Sequence, residues 1–201
     1  MKKLSGGWIA LIVVGAIVVI GVIWGIRTNN RMITAEEGTS AAWAQVENVY
    51  QRRMDLIPNL VSTVKGAADF EKGTLEAVID ARAKATSVQV DANSLSEANI
   101  AAFQKAQDGL SSALSRLMVT VERYPELKAT QNFRDLQAQL EGTENRIAVE
   151  RNKFNEVVKA YNTMIRKFPN SIIAGMGGFE KKGYFTASEG AENAPEVNFE
   201  F

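Results

Sequence analysis

Carboxylates on the apolar faces of predicted helices are the side chains of this chain that could do chemistry. Glu150 is the strongest candidate, because the seven-residue period through Thr143 and Val157 places it on an apolar seam of a long helix. Paired carboxylates inside a helical bundle can hold a divalent metal or act as general acid and base. The other carboxylates on or near apolar stripes are Asp55, Glu71, Glu122 and Glu144.

A carboxylate at a buried position needs a partner, because an unpaired charge in the protein interior is costly. Arg52 and Arg53 on the first helix are the nearest candidates for Glu150. The sequence therefore favours a structural ion pair over a catalytic acid or a metal ligand. A carboxylate-based, metal-dependent activity around Glu150 remains the alternative.

The chain has few other side chains or motifs that could support catalysis or ligand binding. The chain contains no histidine and no cysteine, which removes imidazole bases, thiolate nucleophiles, disulfides and the usual zinc motifs. The GMGG stretch at residues 175–178 lacks the preceding strand and the following Lys-Ser/Thr of a phosphate-binding loop. Lys+Arg and Asp+Glu are both 23, so no basic excess points to nucleic acid. We predict no catalytic residues, no cofactor and no metal.

An uncharged apolar run at residues 8–26 predicts a membrane span. As a helix it is roughly 28 Å long, about the thickness of the hydrocarbon layer. Trp8 and Trp24 near its ends are placed for the two membrane interfaces. Gly21 and Gly25 form a GxxxG pair, which is either a contact face between spans or two ordinary membrane glycines.

The residues on either side of the apolar run indicate whether it is cleaved as a signal peptide and how it is oriented in the membrane. Lys2 and Lys3 within the short basic segment 1–7 would suit a signal peptide, but the run is long and no small-residue cleavage site follows it. We therefore predict a retained anchor. Lys2 and Lys3 precede the span, and Arg27 and Arg31 follow it. This nearly equal distribution of basic residues favours a domain outside the cytoplasm only weakly.

Apolar residues recur at helical spacing through most of the water-facing chain. In the last long helix they recur every seven residues, and such a seam must face other helices. Its members are Phe133, Leu140, Ile147, Phe154, Tyr161 and Phe168. We predict an all-α fold, in which the transmembrane helix is followed by a long antiparallel up-down four-helix bundle at 27–168. The predicted helices are 27–68, 70–87, 95–124 and 130–168.

Proline and asparagine residues on the seams have a predicted structural role. Pro58 lies well inside the first helix, where it removes a backbone hydrogen bond and should kink the rod. Asn59 follows it, and Asn155 and Asn162 lie seven residues apart on one flank of the last helix. We predict that these amides bond across helices or satisfy the carbonyl that Pro58 frees. A ligand-binding row of asparagines is the alternative.

The C-terminal segment 169–201 is predicted to be an irregular Gly/aromatic tail that is partly disordered. An antiparallel bundle returns this tail to the membrane-proximal end. Its mixed basic and aromatic side chains suit either a membrane interface or packing on the bundle. These side chains are Phe179, Lys181, Lys182, Tyr184 and Phe185.

Several of these segments resemble the LemA family of bacterial proteins. The matching blocks are YQRRMDLIPNLVSTVKGAADFE (50–71), YPELKA (124–129), TEN (143–145), ERNKFNEVVKAYN (150–162) and KFPNSIIAGMGGFEKKGYF (167–185). The resemblance implies a single-span protein with a long-helix bundle and no known enzymatic activity. It also implies a scaffolding or envelope-maintenance role, since the family includes a magnetosome-membrane protein and relatives encoded beside a membrane metalloprotease or a TPM-domain protein.

The resemblance supplies no catalytic residue. Its motif residues are explained as easily by the fold as by binding. They are Arg52, Arg53, Asp55, Pro58, Asn59, Glu144, Asn155 and Asn162.

The leading hypothesis is a non-enzymatic, membrane-anchored helical scaffold of the bacterial cell membrane. Its expected partners are the lipid bilayer, other membrane or envelope proteins, and further copies of itself. A membrane-remodelling role for residues 179–185 is another alternative.

Overall fold

A computed structural model describes residues 6–66 and 70–186 of the chain. These residues form six helices and no strand, which confirms the all-α class for this part of the chain. The helices are α1 Gly6–Lys65, α2 Lys72–Ser87, α3 Glu97–Val121, α4 Pro125–Lys128, α5 Gln131–Arg166 and α6 Asn170–Gly177.

The first helix, α1, runs without a break from the apolar run into the set of packed helices, which we call the bundle. It has 60 residues and a length of roughly 90 Å at 1.5 Å rise per residue. Its N-terminal part is long and apolar enough to cross a membrane, and no other part of the described structure covers it. The apolar run is thus a candidate membrane anchor that is continuous with the bundle.

Pro58 lies inside α1, and the helix continues through it to Lys65. The proline has no N–H to donate to the carbonyl of Met54, four residues earlier. Arg82 of α2 replaces that bond, because its Nε donates to the Met54 carbonyl oxygen at 3.1 Å. The predicted partner, Asn59, is exposed instead, and its own carbonyl accepts a bond from Thr63. Asn59 therefore does not satisfy the freed carbonyl, which was one of the two roles predicted for these amides.

Caps and prolines set the ends of the helices. Ser96 caps α3 by accepting a bond from the Asn99 N–H at 3.2 Å, and Thr130 caps α5 by accepting from the Phe133 N–H. The short helix α4 occupies the YPELKA segment, with Pro125 at its first position.

The segment after α5 is more regular than the sequence predicted. Residues 170–177 form α6, where an irregular tail was expected, and Gly178 ends it with a φ of 73°. This left-handed conformation is favourable for glycine and is a common way to end a helix. Beyond residue 186 the predicted disorder lies outside the described residues.

The core consists of three apolar clusters along the length of the bundle. One lies around Leu60 and Leu117, the middle one around Trp43 and Phe154, and the third around Met32. The α5 seam is buried as predicted, except at its last member. Phe168 is 82% exposed, because α5 ends at Arg166.

The helices pack mainly in two pairs, α1 on α5 and α2 on α3, while α6 contacts both α1 and α5. Along α1 and α5 the contacts follow opposite order. Trp43 packs on Phe154, whereas Arg53, further along α1, bonds to Glu144, which is earlier on α5.

Candidate interaction site

Residues 179–186 follow α6 as an extended segment on the bundle surface, which we call the strap. Three side-chain amides hold its backbone, one on α3 and two on α5. Asn162 donates to the Lys182 carbonyl at 2.9 Å and accepts from the Lys182 N–H at 3.0 Å. Asn162 therefore binds both the N–H and the carbonyl of one strap residue, as a neighbouring β-strand would.

The other two amides repeat this arrangement. Asn155 donates to the Phe185 carbonyl at 2.8 Å and accepts from its N–H at 2.9 Å. Gln104 donates to the Thr186 carbonyl at 3.0 Å and accepts from its N–H at 3.1 Å. The prediction that Asn155 and Asn162 bond across helices was therefore wrong in its partner, because both amides bond to the strap.

Gly183 lets the strap approach the start of α3. Its N–H donates to the Leu95 carbonyl at 2.8 Å. A Cβ at this position would lie 2.6 Å from the Glu97 Cα, closer than any side chain tolerates. Glycine is required here by the close approach of two backbones.

Phe185 fastens the strap to the middle core cluster. Its ring is 5% exposed and stacks on Trp43, with 6.0 Å between centroids and 13° between planes. It meets Phe154 edge to face at 5.5 Å, and the Arg151 guanidinium lies 4.8 Å from its centroid. Such aromatic contacts add roughly 0.5–1.5 kcal/mol each to the burial itself.

Lys182 is a buried cation in the middle of the strap. It is 8% exposed, and its Nζ lies 2.7 Å from the Glu36 carboxylate and 5.7 Å from the centre of the Tyr161 ring. Burial raises the pKa of the Tyr161 hydroxyl, and the nearby Glu36 charge raises this pKa further. Glu36 was not singled out by the sequence.

The predicted interfacial role of the tail side chains is therefore wrong for Lys182 and Phe185, which are buried in the bundle. Phe179 is half-buried against the cluster around Met32, and Tyr184 accepts a bond from Asn162 at 3.1 Å. Lys181 is exposed. The alternative, that these aromatics pack on the bundle, is the one that the structure supports.

Arg53 forms a second buried polar cluster between α1, α3 and α5. Its side chain is 1% exposed and donates to the Glu144 carboxylate at 2.8 Å and to Ser111 Oγ at 2.7 Å. It also donates to Gln107 Oε1 at 2.7 Å and lies over the Tyr50 ring at 5.1 Å. Gln107 and Ser111 were missed as Arg53 partners, although a polar Gln107 on an apolar seam was the signal that could have found them.

The predicted pairing of Glu150 with Arg52 or Arg53 was wrong. Glu150 is buried, and it pairs within its own helix, with Lys153 Nζ at 3.0 Å and Arg146 Nε at 3.5 Å. The i,i+3 and i,i+4 spacings bring these cations to it. Arg52 is exposed.

Three of the remaining candidate carboxylates each bind a different polar or basic side chain. Asp55 accepts from Gln51 at 2.7 Å, Glu71 pairs with Arg123 at 2.8 Å, and Glu122 pairs with Lys128 at 2.6 Å. Across residues 6–66 and 70–186, no group of three or more acidic side chains is placed to hold a metal ion.

The RR-x-DLIPN block divides between the inside and the outside of the bundle. Arg53 points inward, whereas Arg52, Asp55, Pro58 and Asn59 are exposed on α1. Arg52, Asp55 and Asn59 are spaced by three and four residues, so they share one helix face. This polar face is exposed in the described part of the chain.

The geometry defines a class of protein, in which an apolar helix runs directly into a helical domain closed by a C-terminal strap. The sequence model of the LemA family matches residues 42–199, and the chain belongs to the LemA family.

Three relatives illustrate the similarity. Magnetosome protein MamQ of Magnetospirillum gryphiswaldense is 28% identical over 175 residues, and magnetosome protein MamQ 1 of Paramagnetospirillum magneticum is 27% identical over 173. Each match covers 78% of this chain and 64% of the relative, so the chain spans a little under two thirds of their length. Protein LemA of Metamycoplasma hominis is 22% identical over 160 residues, covering 80% of this chain and 69% of the relative.

Proposed function

We propose that this protein is a non-enzymatic, membrane-anchored scaffold of the bacterial cell membrane that binds other envelope proteins and itself. The observation that carries this proposal is the continuity of α1, a 60-residue helix that includes both the candidate span and the first bundle helix. A continuous helix holds the bundle at a fixed distance and direction from the bilayer, which a flexible linker does not do.

The proposed domain is an antiparallel up-down four-helix bundle. The opposite order of contacts along α1 and α5 supports it, as do the short connections between successive helices. In this arrangement α5 returns the chain to the membrane-proximal end. Two basic residues flank each end of the span, so the positive-inside rule gives only a weak preference for a bundle outside the cytoplasm.

The exposed α1 face with Arg52, Asp55 and Asn59 is the proposed surface for a protein partner. It presents a cation, a carboxylate and an amide on a rigid helix. A rigid surface of this kind loses little conformational entropy on binding, which favours affinity.

Self-association is proposed to use the bundle faces and the open part of the GxxxG face. A Cβ on Gly21 would meet nothing within 4 Å, whereas one on Gly25 would lie 3.6 Å from Ile173 of α6. Gly25 therefore packs against its own chain, and Gly21 is the part of that face left for a second span.

The names of the relatives support an organising role. The MamQ proteins are named as magnetosome proteins, so those proteins are associated with a bacterial subcellular structure. We extend to this chain only the expectation of a role in organising a membrane or its protein assemblies.

Photo-crosslinking in native membranes tests the proposal. A photoreactive amino acid replaces Asp55 or Asn59 on the open α1 face, and Ala83, which is exposed on α2, is the matched control position. We expect discrete, reproducible adducts from positions 55 and 59 and few from 83. A protein that stays monomeric and gives no reproducible adduct at any of these positions contradicts the proposal.

A further inference from the structure

An apolar stripe that nothing in the described chain covers begins in the turn before α6 and continues on one face of that helix. Phe168 of the turn and Ile172 and Met176 of α6 are 82%, 54% and 83% exposed. The opposite face of α6 is packed, since Ala174 and Ile173 join the cluster around Met32. One side of this short helix is thus fixed to the bundle and the other is open and apolar.

This stripe lies beside the end of the candidate span. A Cβ on Gly25 would lie 3.6 Å from Ile173 Cδ1, and one on Gly177 would lie 3.4 Å from Asn29 Oδ1. From the first contact to the second, the position advances by four residues along α1, from 25 to 29, and by four along α6, from 173 to 177. The two helices therefore run in the same direction. The turn before α6, which contains Phe168, is therefore the part nearest the bilayer.

Basic side chains lie close in sequence to the end of the span and to the turn before α6. Arg27 and Arg31 follow the span, Arg166 ends α5 and Lys167 begins the turn, and all four are exposed. Long basic side chains can keep their charge at the headgroups while their stems lie along apolar surface. This combination of an apolar stripe and flanking cations is typical of a segment in the interfacial layer of a membrane.

We infer that the turn at residues 167–169 and the exposed face of α6 are immersed in the bilayer that α1 spans, as a second membrane contact. The inference rests on the proposed anchoring by α1 and places this contact at Phe168 and Ile172, in place of the buried strap residues. An isolated eight-residue helix binds membranes weakly. Attachment to α1 keeps it at the surface at a high effective concentration.

Spin labels on the full-length protein in phosphatidylethanolamine/phosphatidylglycerol vesicles test this inference. The chain has no cysteine, so single-cysteine variants need no other change. Labels at Phe168→Cys and Ile172→Cys are expected to show a several-fold higher ratio of oxygen to water-soluble nickel-chelate accessibility than a label at Val119→Cys. Val119 is 72% exposed on α3 and is the control in water.

A label at Ile17→Cys, inside the span, separates the two proposals. If position 17 is immersed but positions 168 and 172 are as accessible to nickel as position 119, the second contact is wrong and the anchor stands. If position 17 is itself in water, the anchor is wrong. Labels at 168 and 172 that are shielded from both reagents show a protein cover, which also overturns the inference. Dilution with unlabelled protein then identifies whether that cover is a second copy.

Discussion

Arg53 brings a guanidinium into the interior of the bundle and distributes its hydrogen bonds over two other helices. Its partners are Ser111 and Gln107 of α3 and Glu144 of α5. Glu144 is 54% exposed, so this ion pair is buried at one end only. The cluster therefore fixes the register of three helices more than it adds Coulombic energy, because a half-exposed carboxylate is screened by water.

Replacing Arg53 with alanine should cost about 2–4 kcal/mol of the free energy of unfolding, because Gln107 and Ser111 lose their partner in a buried site. The neighbouring Arg52→Ala is the matched control, and its exposed position should limit the change to about 0.5 kcal/mol. Urea unfolding of both full-length variants in nonionic detergent, followed by circular dichroism, measures the difference. Equal stabilities would contradict this role for Arg53.

Particular residues show what the sequence could predict of the site. Asn155 and Asn162 were identified because their seven-residue spacing is visible in the chain. Their strap partners were not, since a bond between residues about twenty or thirty positions apart depends on the path of the backbone after α6. Glu150 was assigned the wrong partner because its own helix supplies two cations at short range.

At the scale of the element, α1 depends on α2 where Pro58 interrupts its backbone bonding. The Met54 carbonyl would be left unpaired inside a helix, and Arg82 Nε supplies the missing donor at 3.1 Å. A bond from a charged donor is worth about 1.5–3 kcal/mol. The proline and the arginine are therefore expected to be energetically coupled.

A double-mutant cycle tests this coupling. Arg82→Ala should cost about 1–2 kcal/mol in the natural chain, and much less in the Pro58→Ala background, where the new backbone N–H at position 58 can bond to the Met54 carbonyl. Lys84→Ala, which is exposed on the same helix, is the control. Urea unfolding of the four combinations gives the coupling energy. A value near zero would show that Arg82 does not replace the bond that Pro58 removes.

The helices with the most regular spacing of apolar residues were the ones that the sequence predicted best. The seven-residue period and the flanking prolines located α5 to within two residues at its C-terminal end. The helix α6 was missed because its glycines suggested an irregular segment, and packing against α1 and α5 outweighs their low helix propensity.

At the scale of the whole molecule, the strap joins parts of the chain that are far apart in sequence. It bonds to α1 through Glu36, to α3 through Gln104 and to α5 through Asn155 and Asn162. Phe185 also fills the aromatic cluster between those helices. The bundle core is therefore complete only with the strap in place.

Gly183→Ala should displace the strap and destabilise the fold by about 1–3 kcal/mol, because its Cβ would collide with the α3 backbone. Gly142→Ala on α5 is the matched control. Its Cβ meets nothing within 4 Å, and it should stabilise the helix by about 0.5–1 kcal/mol. Trypsin cleavage after Lys182 reports the position of the strap, and we expect it to accelerate in Gly183→Ala alone. Unchanged cleavage would show that the strap tolerates a side chain there.

The strap is also synthesised later than the helices that it covers, because it lies near the C-terminal end of the described chain. The apolar end of α1 leaves the ribosome before the strap, because the chain is made from its N-terminus. Lys182 and Phe185, which close the middle of the core, follow it about 150 residues later. Until then Trp43, Phe103 and Phe154 lack one of their aromatic neighbours. A nascent chain therefore carries an incompletely covered aromatic surface until translation has passed the strap.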